Sequence, residues 1–353
     1  MKLIECVPNI SDGQNPAIYQ GIAAAAASVP GVKVLHVDPG FSANRTVITF
    51  VGSNDAILQG AWQLAKVAIA NINMQLHTGT HARIGALDVM PFIPLLNTTI
   101  EECVTIARTI AMRLGNELGI PTYLYEAAAS KPDRSNLADI RKGEYEGLAK
   151  KLFDKAWQPD FGPATFIPKT GAAIVGARKL LIAYNINLDT QDAVIARRIA
   201  RDLRERSYIL RGLEGNLILN ASGSPQYKEG LLPSVKAIGW YAPEYSCAQV
   251  SMNLLDITRT PLHIAYDTCV QQALDYGVQV TGSEIVGLVS KDAMIAAGKH
   301  YLARSGQFSD VLDAEAIEVA IDNLGLNKAK SFNRNERIIE YCLEAHYGSY
   351  RSI

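Results

Sequence analysis

An excess of charge of one sign is missing from this chain: 34 Lys and Arg stand against 35 Asp and Glu, for a net charge of −1. That balance removes the general basic excess expected of a nucleic-acid partner. Its most basic run, Arg197-Arg198-Ile199-Ala200-Arg201-Asp202-Leu203-Arg204-Glu205-Arg206, has helical spacing with interspersed acids and reads as a solvated helix face. Cysteine is scarce and scattered. Cys6, Cys103, Cys247, Cys269 and Cys342 form no Cys-x-x-Cys pair, an odd set that suggests reduced thiols and a cytoplasmic setting. Long apolar runs are missing too. Residues 22–29 are mostly apolar but stop at Pro30-Gly31, and residues 1–8 are too short and too acidic, with Glu5, for a signal peptide. A Gly-x-Gly-x-x-Gly after the first strand and a Walker A motif are both absent, so nucleotide cofactors are not expected. There is no low-complexity segment and no repeat of fixed period.

What is present is nearly half apolar, enough for a sizeable core in one large domain or two medium ones. Residues 2–7, 32–37, 45–51 and 121–126 read as strands. Residues 54–72 read as a helix capped by Ser53 or Asn54. Residues 98–118 give the clearest helix: Ile100, Cys103, Val104, Ala107, Ile110, Ala111 and Leu114 form one stripe, and Gly119 closes it. Such alternation implies an α/β (α+β) layer structure. After a Pro/Gly-rich loop at 157–163, residues 173–188 read as one strand run long enough to pass from one sheet towards another. The boundary is drawn near its end, giving subdomains 1–180 and 181–326 and a charged, helical tail 327–353. The second half holds helix candidates at 191–206, 261–276 and 291–303, and antiparallel partners at 235–241 and 247–254.

The densest chemistry is His77-Thr78-Gly79-Thr80-His81-Ala82-Arg83-Ile84-Gly85-Ala86-Leu87-Asp88-Val89-Met90-Pro91-Phe92. Imidazole exchanges protons most easily near neutral pH, and a fixed cation and a carboxylate nearby would set its protonation and orientation. We read it as a reaction centre with His81 catalytic and His77 ambiguous. The two histidines have metal-ligand spacing, yet Gly79 and two threonines disfavour helix and no cluster supplies a third ligand, so no metal is expected. Asp38-Pro39-Gly40-Phe41-Ser42-Ala43-Asn44-Arg45 is either a long hairpin turn or a set of polar groups offered at strand ends, and spacing leaves both readings. Arg134 and Arg141 could each clamp a carboxylate, but taken alone the segment 130–148 reads as an exposed loop and a short charged helix. The loop Asp160-Phe161-Gly162-Pro163 running to Gly171 is a linker or a seat for a flat ring. Glu284, ahead of an apolar strand, is buried and paired or caps an edge.

Several blocks, in order along nearly the whole chain, resemble the glutamate formiminotransferases. They are the stretch from Glu5 to Ser11, Asn44 to Gly52, His81 to Pro94, Ile140 to Gly147, Pro159 to Pro163, Gly176 to Arg178, Ile182 to Leu188, Gln249 to Asn253 and Gly282 to Val289. The resemblance implies two subdomains, each a mixed β-sheet with helices packed on it, and a ligand cleft between them. It implies transfer of a formimino group from N-formimino-L-glutamate to N5 of tetrahydrofolate, the co-substrate, in histidine degradation. By the same resemblance His81 matches the catalytic histidine, and Asp38 and Arg45 fall on active-site positions. Gly162-Pro163-Ala164-Thr165-Phe166-Ile167-Pro168-Lys169-Thr170-Gly171 matches the folate-binding loop, and Arg178 joins the folate-site residues. A homodimer with no membrane or nucleic-acid partner is expected. The chain resembles the standalone bacterial form, so a cyclodeaminase step would need another protein. Ala82 and Met90 depart from a frequent Pro and Cys, and 207–230 matches poorly. Formyl transfer on the same scaffold, or folate binding without turnover, are the alternatives.

Overall fold

The computed structural model describes residues 1–210, 212, 216–220, 222–306 and 311–348. It divides into two units: Met1–Leu180 with the described residues from Cys342 onward, and Leu181–Tyr341. The last residues of the expected tail, 349–353, lie outside the described residues, as do 211, 213–215 and 221 within the poorly matching stretch.

In the first unit the chain runs β1 (Leu3–Cys6), β2 (Asn9–Ile10), α1 (Pro16–Ala27), β3 (Lys33–Gly40), β4 (Arg45–Gly52), α2 (Asn54–Asn71), β5 (Leu87–Leu96), α3 (Ile100–Glu117), β6 (Thr122–Glu126), α4 (Leu137–Arg141), α5 (Glu144–Phe153) and β7 (Ala173–Ala177). The sheet lies in the order β3-β4-(β1, β2)-β5-β7-β6, with β5, β7 and β6 parallel and the other pairs antiparallel. β1 and β2 share one line between β4 and β5, interrupted at Pro8, which has no N–H to give. Helices α1, α2 and α3 bury an apolar face against the sheet, around Ile4, Phe50, Leu87, Phe92 and Val175. α3 buries Cys103, Ala107, Ile110, Ala111 and Leu114 at helical spacing. Thr99 and Glu102 form a capping box at its start, and Gly119 follows its end with φ +66°. The opposite face, at Val89, Tyr123, Tyr125 and Ile174, carries a smaller cluster under α4 and α5.

Two expectations need correction. Residues 173–188 are not one strand. β7 ends at Ala177, and β8 (Ile182–Leu188) begins in the second unit after a break at 178–181, where Arg178, Lys179 and Leu180 are not buried. The stretch after Val37 is also shorter as a turn than it reads. β3 continues through Asp38 and Pro39 to Gly40, leaving only residues 41–44 between it and β4.

The second unit holds β8, α6 (Ala193–Leu203), β9 (Tyr208–Ile209), β10 (Tyr227–Lys228), β11 (Val235–Ala242), β12 (Cys247–Leu254), α7 (Leu262–Asp275), β13 (Val280–Val286), α8 (Lys291–Arg304), α9 (Asp313–Asn323), α10 (Leu326–Ala329) and α11 (Arg334–Arg337). α12 (Ile339–Tyr347) runs across the division between the units. Its sheet, β11-β12-β8-β13, is wholly antiparallel. Alternation sends Tyr184, Ile186, Val250, Met252 and Ile285 into the helical core, and Asn185, Asn187 and Gln249 to the other face. There Glu284 is paired: Oε1 accepts from Asn185 (3.0 Å) and Gln249 (3.2 Å), and Oε2 from Tyr245 (2.6 Å). The basic run on α6 does present Arg197 and Arg198 to solvent, but its Asp202 is buried and bound by Tyr208 and Tyr276.

Candidate active site

His81 lies in the first unit on the irregular segment between α2 and β5. Its ring is fixed on both nitrogens. Nδ1 lies 2.7 Å from the Ala82 carbonyl, an acceptor, so it carries the proton, and Arg45 Nη1 lies against the ring, 2.7 Å from Nε2 and 3.1 Å from Nδ1. Burial, then the charges of Arg45 and Arg141, hold its pKa well below the ordinary 6.5, against a smaller opposing effect of the Ala82 carbonyl. His81 is therefore a neutral imidazole with its basic lone pair on Nε2. Arg45 opens β4 and is itself pushed down to about 10, by burial and by Arg141, with Asp88 and Asp38 acting the other way.

The carboxylate and cation inside the motif do not serve His81 as the sequence suggests. Asp88 is fully buried and binds Arg141, while its Oδ1 accepts the Ile84 N–H at 2.9 Å. Arg83 turns to Glu144 and Glu146. The cation at the ring comes from Arg45, brought in from another strand. Asp38 sits on β3 opposite Val47, two residues along β4 from Arg45, and its charge is felt there. His77 is not a surface residue left to itself. Its Nε2–H donates to the Asn44 carbonyl at 2.8 Å, and its Nδ1 accepts from Arg83 Nε at 3.3 Å. Asn44 is 9% exposed with φ +46°, and its side chain accepts from Gly13 N and donates to Thr78 O. The chain is thereby pinned one residue before Arg45.

The loop 162–171 is tied to this segment at its second half. Gly85 and Gly171 form a bridge, the Ala86 N–H donates to Thr170 O at 2.8 Å, and the Ala172 N–H donates to Ile84 O at 3.1 Å. A Cβ on Gly171, whose φ is +64°, would meet Ile84 O at 2.2 Å, so only glycine closes this contact. Tyr145 OH donates to Pro168 O (2.5 Å) and its ring packs 5.4 Å from that of Phe166. The first half, Gly162-Pro163-Ala164-Thr165, is exposed, whereas the Thr170 hydroxyl is buried without a hydrogen-bond partner. Arg178 is not brought to the loop. It follows β7, a five-residue strand of roughly 16 Å, at the end away from Gly171.

The reading of 130–148 as an exposed loop fails at its two arginines. Arg134 is 2% exposed; it binds Asp160 at 2.8 Å and donates to the carbonyls of Ala156 and Gln158. Arg141, on α4, is the partner of Asp88. Spacing could not reveal these pairs, because each joins residues 26 or 53 positions apart. No group of three His, Cys, Asp or Glu among the described residues is placed to hold a metal ion.

The lowered His81 and His77 titrations fix a pH dependence. Both folded rings take up protons at lower pH than they do in the unfolded chain, where imidazole titrates near 6.5, so the unfolded state holds more protons as pH drops through that range. Stability is then complete above 6.5 and falls as pH drops. His81, with the larger lowering, should account for more of this loss than His77. Urea midpoints at pH 7.5 and 5.5 check this: the midpoint should be lower at 5.5, and equal midpoints would contradict the lowered titrations.

Residues 3–178 match a family profile described as the formiminotransferase domain, N-terminal subdomain, and residues 183–344 match the formiminotransferase domain profile. The chain is 44% identical over 345 residues to a formimidoyltransferase-cyclodeaminase of Gallus gallus, covering 98% of this chain and 60% of that protein. It thus spans about three-fifths of such relatives. It is 42% identical to a glutamate formimidoyltransferase of Streptococcus pyogenes serotype M1, over 85% of this chain and 93% of the relative. The corresponding figures for one of Thermoplasma acidophilum are 41%, 87% and 94%.

Proposed function

The chain belongs to the formiminotransferase family, and from that premise we propose that it transfers the formimino group from N-formimino-L-glutamate to N5 of tetrahydrofolate. The products are 5-formimino-tetrahydrofolate and glutamate, and the reaction belongs to histidine degradation. The observation that supports this reading is the setting of His81, with Nδ1 on the Ala82 carbonyl, the Arg45 guanidinium against its ring and its titration lowered by burial and by Arg45.

In the reaction N5 attacks the amidine carbon with its lone pair and must then lose a proton, while the departing glutamate nitrogen must gain one. A neutral imidazole takes the first proton on Nε2 and delivers it to the leaving nitrogen, so the bond to N5 forms, the bond to the glutamate nitrogen breaks, and no net proton is consumed. Once His81 is charged, Arg45 beside it drives the proton onward. Asp38 is assigned to favouring the protonated, more electrophilic amidinium. The loop from Gly162 to Gly171 is assigned to the folate, in keeping with its exposed first half. Arg45 or Arg178 is assigned to one of the glutamate carboxylates of the donor. We place the enzyme in the cytoplasm as a homodimer; its five cysteines are buried and none is in a disulfide, which suits a reducing compartment.

The test offers formimino-glutamate and formyl-glutamate separately with tetrahydrofolate. Turnover of formimino-glutamate is the expected result. Formyl transfer alone would move the chain to the related reaction, and folate binding without turnover of either donor would overturn the enzymatic reading.

A further inference from the structure

Arg83 and its surroundings play no part in the proton transfer, yet they line a polar cavity of the first unit. A space of about 500 Å³ is lined by His77, Thr78, Gly79, Arg83, Glu144 and Glu146, among others. It borders the same segment that carries His81. The Arg83 side chain is 8% exposed, and its guanidinium is oriented from behind: Nε donates to His77 Nδ1, and His77 is anchored in turn on the Asn44 carbonyl. Its forked face is turned to carboxylates. Nη1 and Nη2 bind both oxygens of Glu146 at 2.9 and 2.6 Å, and Nη1 also binds Glu144 at 3.1 Å.

The two carboxylates are unlike the guanidinium they hold. Their side chains are 64% and 45% exposed, and each gives up rotamer freedom to stay on Arg83. Glu144, the first residue of α5, holds φ +54°, a left-handed conformation that costs an ordinary side chain energy. A buried, pre-aimed fork capped by exposed surface carboxylates is the geometry of a site in which the protein's own groups occupy a ligand's place.

Resting on the transferase reading above, we propose that Arg83 is the bidentate anchor for a substrate carboxylate, and that Glu146, with Glu144, occupies the fork until that carboxylate displaces it. The ligand class is a small amino-acid-derived dicarboxylate, and the volume suits one. A planar guanidinium recognises a carboxylate by two parallel N–H bonds, which a lysine cannot reproduce.

An anchor blocked by its own cap makes a prediction opposite in sign to a structural ion pair. Removing the cap's charge strengthens ligand binding. The experiment compares wild type with Glu146→Gln in the full chain, measuring KM for each substrate and the affinity for L-glutamate by calorimetry. Glu146 is exposed, so this variant folds. The expected result is a KM for formimino-glutamate lowered about three- to fivefold, with L-glutamate bound tighter by a similar factor. Arg83→Lys should raise the same KM by roughly ten- to a hundredfold. If only the KM for tetrahydrofolate falls, the fork holds the folate's glutamyl tail and not the donor. A KM for both substrates that is unchanged or raised in Glu146→Gln, with wild-type turnover otherwise normal, overturns the proposal while leaving the transferase reading in place. Wild type without formimino transfer would defeat that reading first.

Discussion

Replacing His81 with alanine is expected to lower kcat for formimino transfer by roughly a hundred- to ten-thousand-fold, the range of a positioned general acid–base. The side chain is partly exposed and on an irregular segment, so its loss leaves no cavity in the core. KM for both substrates should change little, because the ring contributes to proton movement and not to holding either partner. The pH profile carries a second signature. With its titration held well below 6.5 by burial and by Arg45 and Arg141, the wild-type base stays competent into mildly acidic solution. His81→Ala should lose that plateau, and added imidazole should restore part of the rate. A well-folded variant with near-normal kcat would falsify the assignment outright, whatever its KM.

How much of this could be seen in the sequence depends on the range of each interaction. The stripe on α3 and its capping residues are local, so spacing places that helix within a residue or two. β5 is harder, since Pro91 and Pro94 stand inside it, but neighbours on both sides supply its partners. The candidate site shows the same division. The motif from His77 to Phe92 identifies itself by density of titratable groups, and the resemblance marks His81, Asp38 and Arg45. Which charge meets which is another matter. A sequence reader pairs His81 with Arg83 or Asp88, its neighbours in the chain. The fold instead delivers Arg45 from 36 residues away and Arg141 to Asp88 from 53 residues away. Arg134 looks exposed for the same reason: nothing near it in sequence announces Asp160. Sheet register and loop closure decide such pairs, and no local pattern encodes either.

The pair Asp88–Arg141 is where that long-range choice should weigh most on stability. Asp88 is fully buried, and its carboxylate holds the Ile84 N–H as well as the Arg141 guanidinium, whose side chain is 13% exposed. Asp88→Ala strips the charge partner from an arginine that cannot shed its proton and leaves the Ile84 N–H without its acceptor. Breaking such a pair from one side costs about 3–5 kcal/mol, which urea unfolding would register as a lower midpoint. The damage extends to chemistry. Arg141 already depresses the titrations of Arg45 and His81, and without Asp88 its positive field there is less compensated. Activity should therefore fall even under conditions where the variant is folded. A double-variant cycle separates the two causes. If the cost is a stranded charge, Asp88→Ala combined with Arg141→Met should recover much of the midpoint lost by Asp88→Ala alone, since a pair removed together leaves no unpaired ion. If the cost is instead the Ile84 N–H, the double variant stays as unstable as the single one, while Asp88→Asn, which keeps an acceptor oxygen without the charge, recovers the larger share. The electrostatic account of this site requires the first outcome.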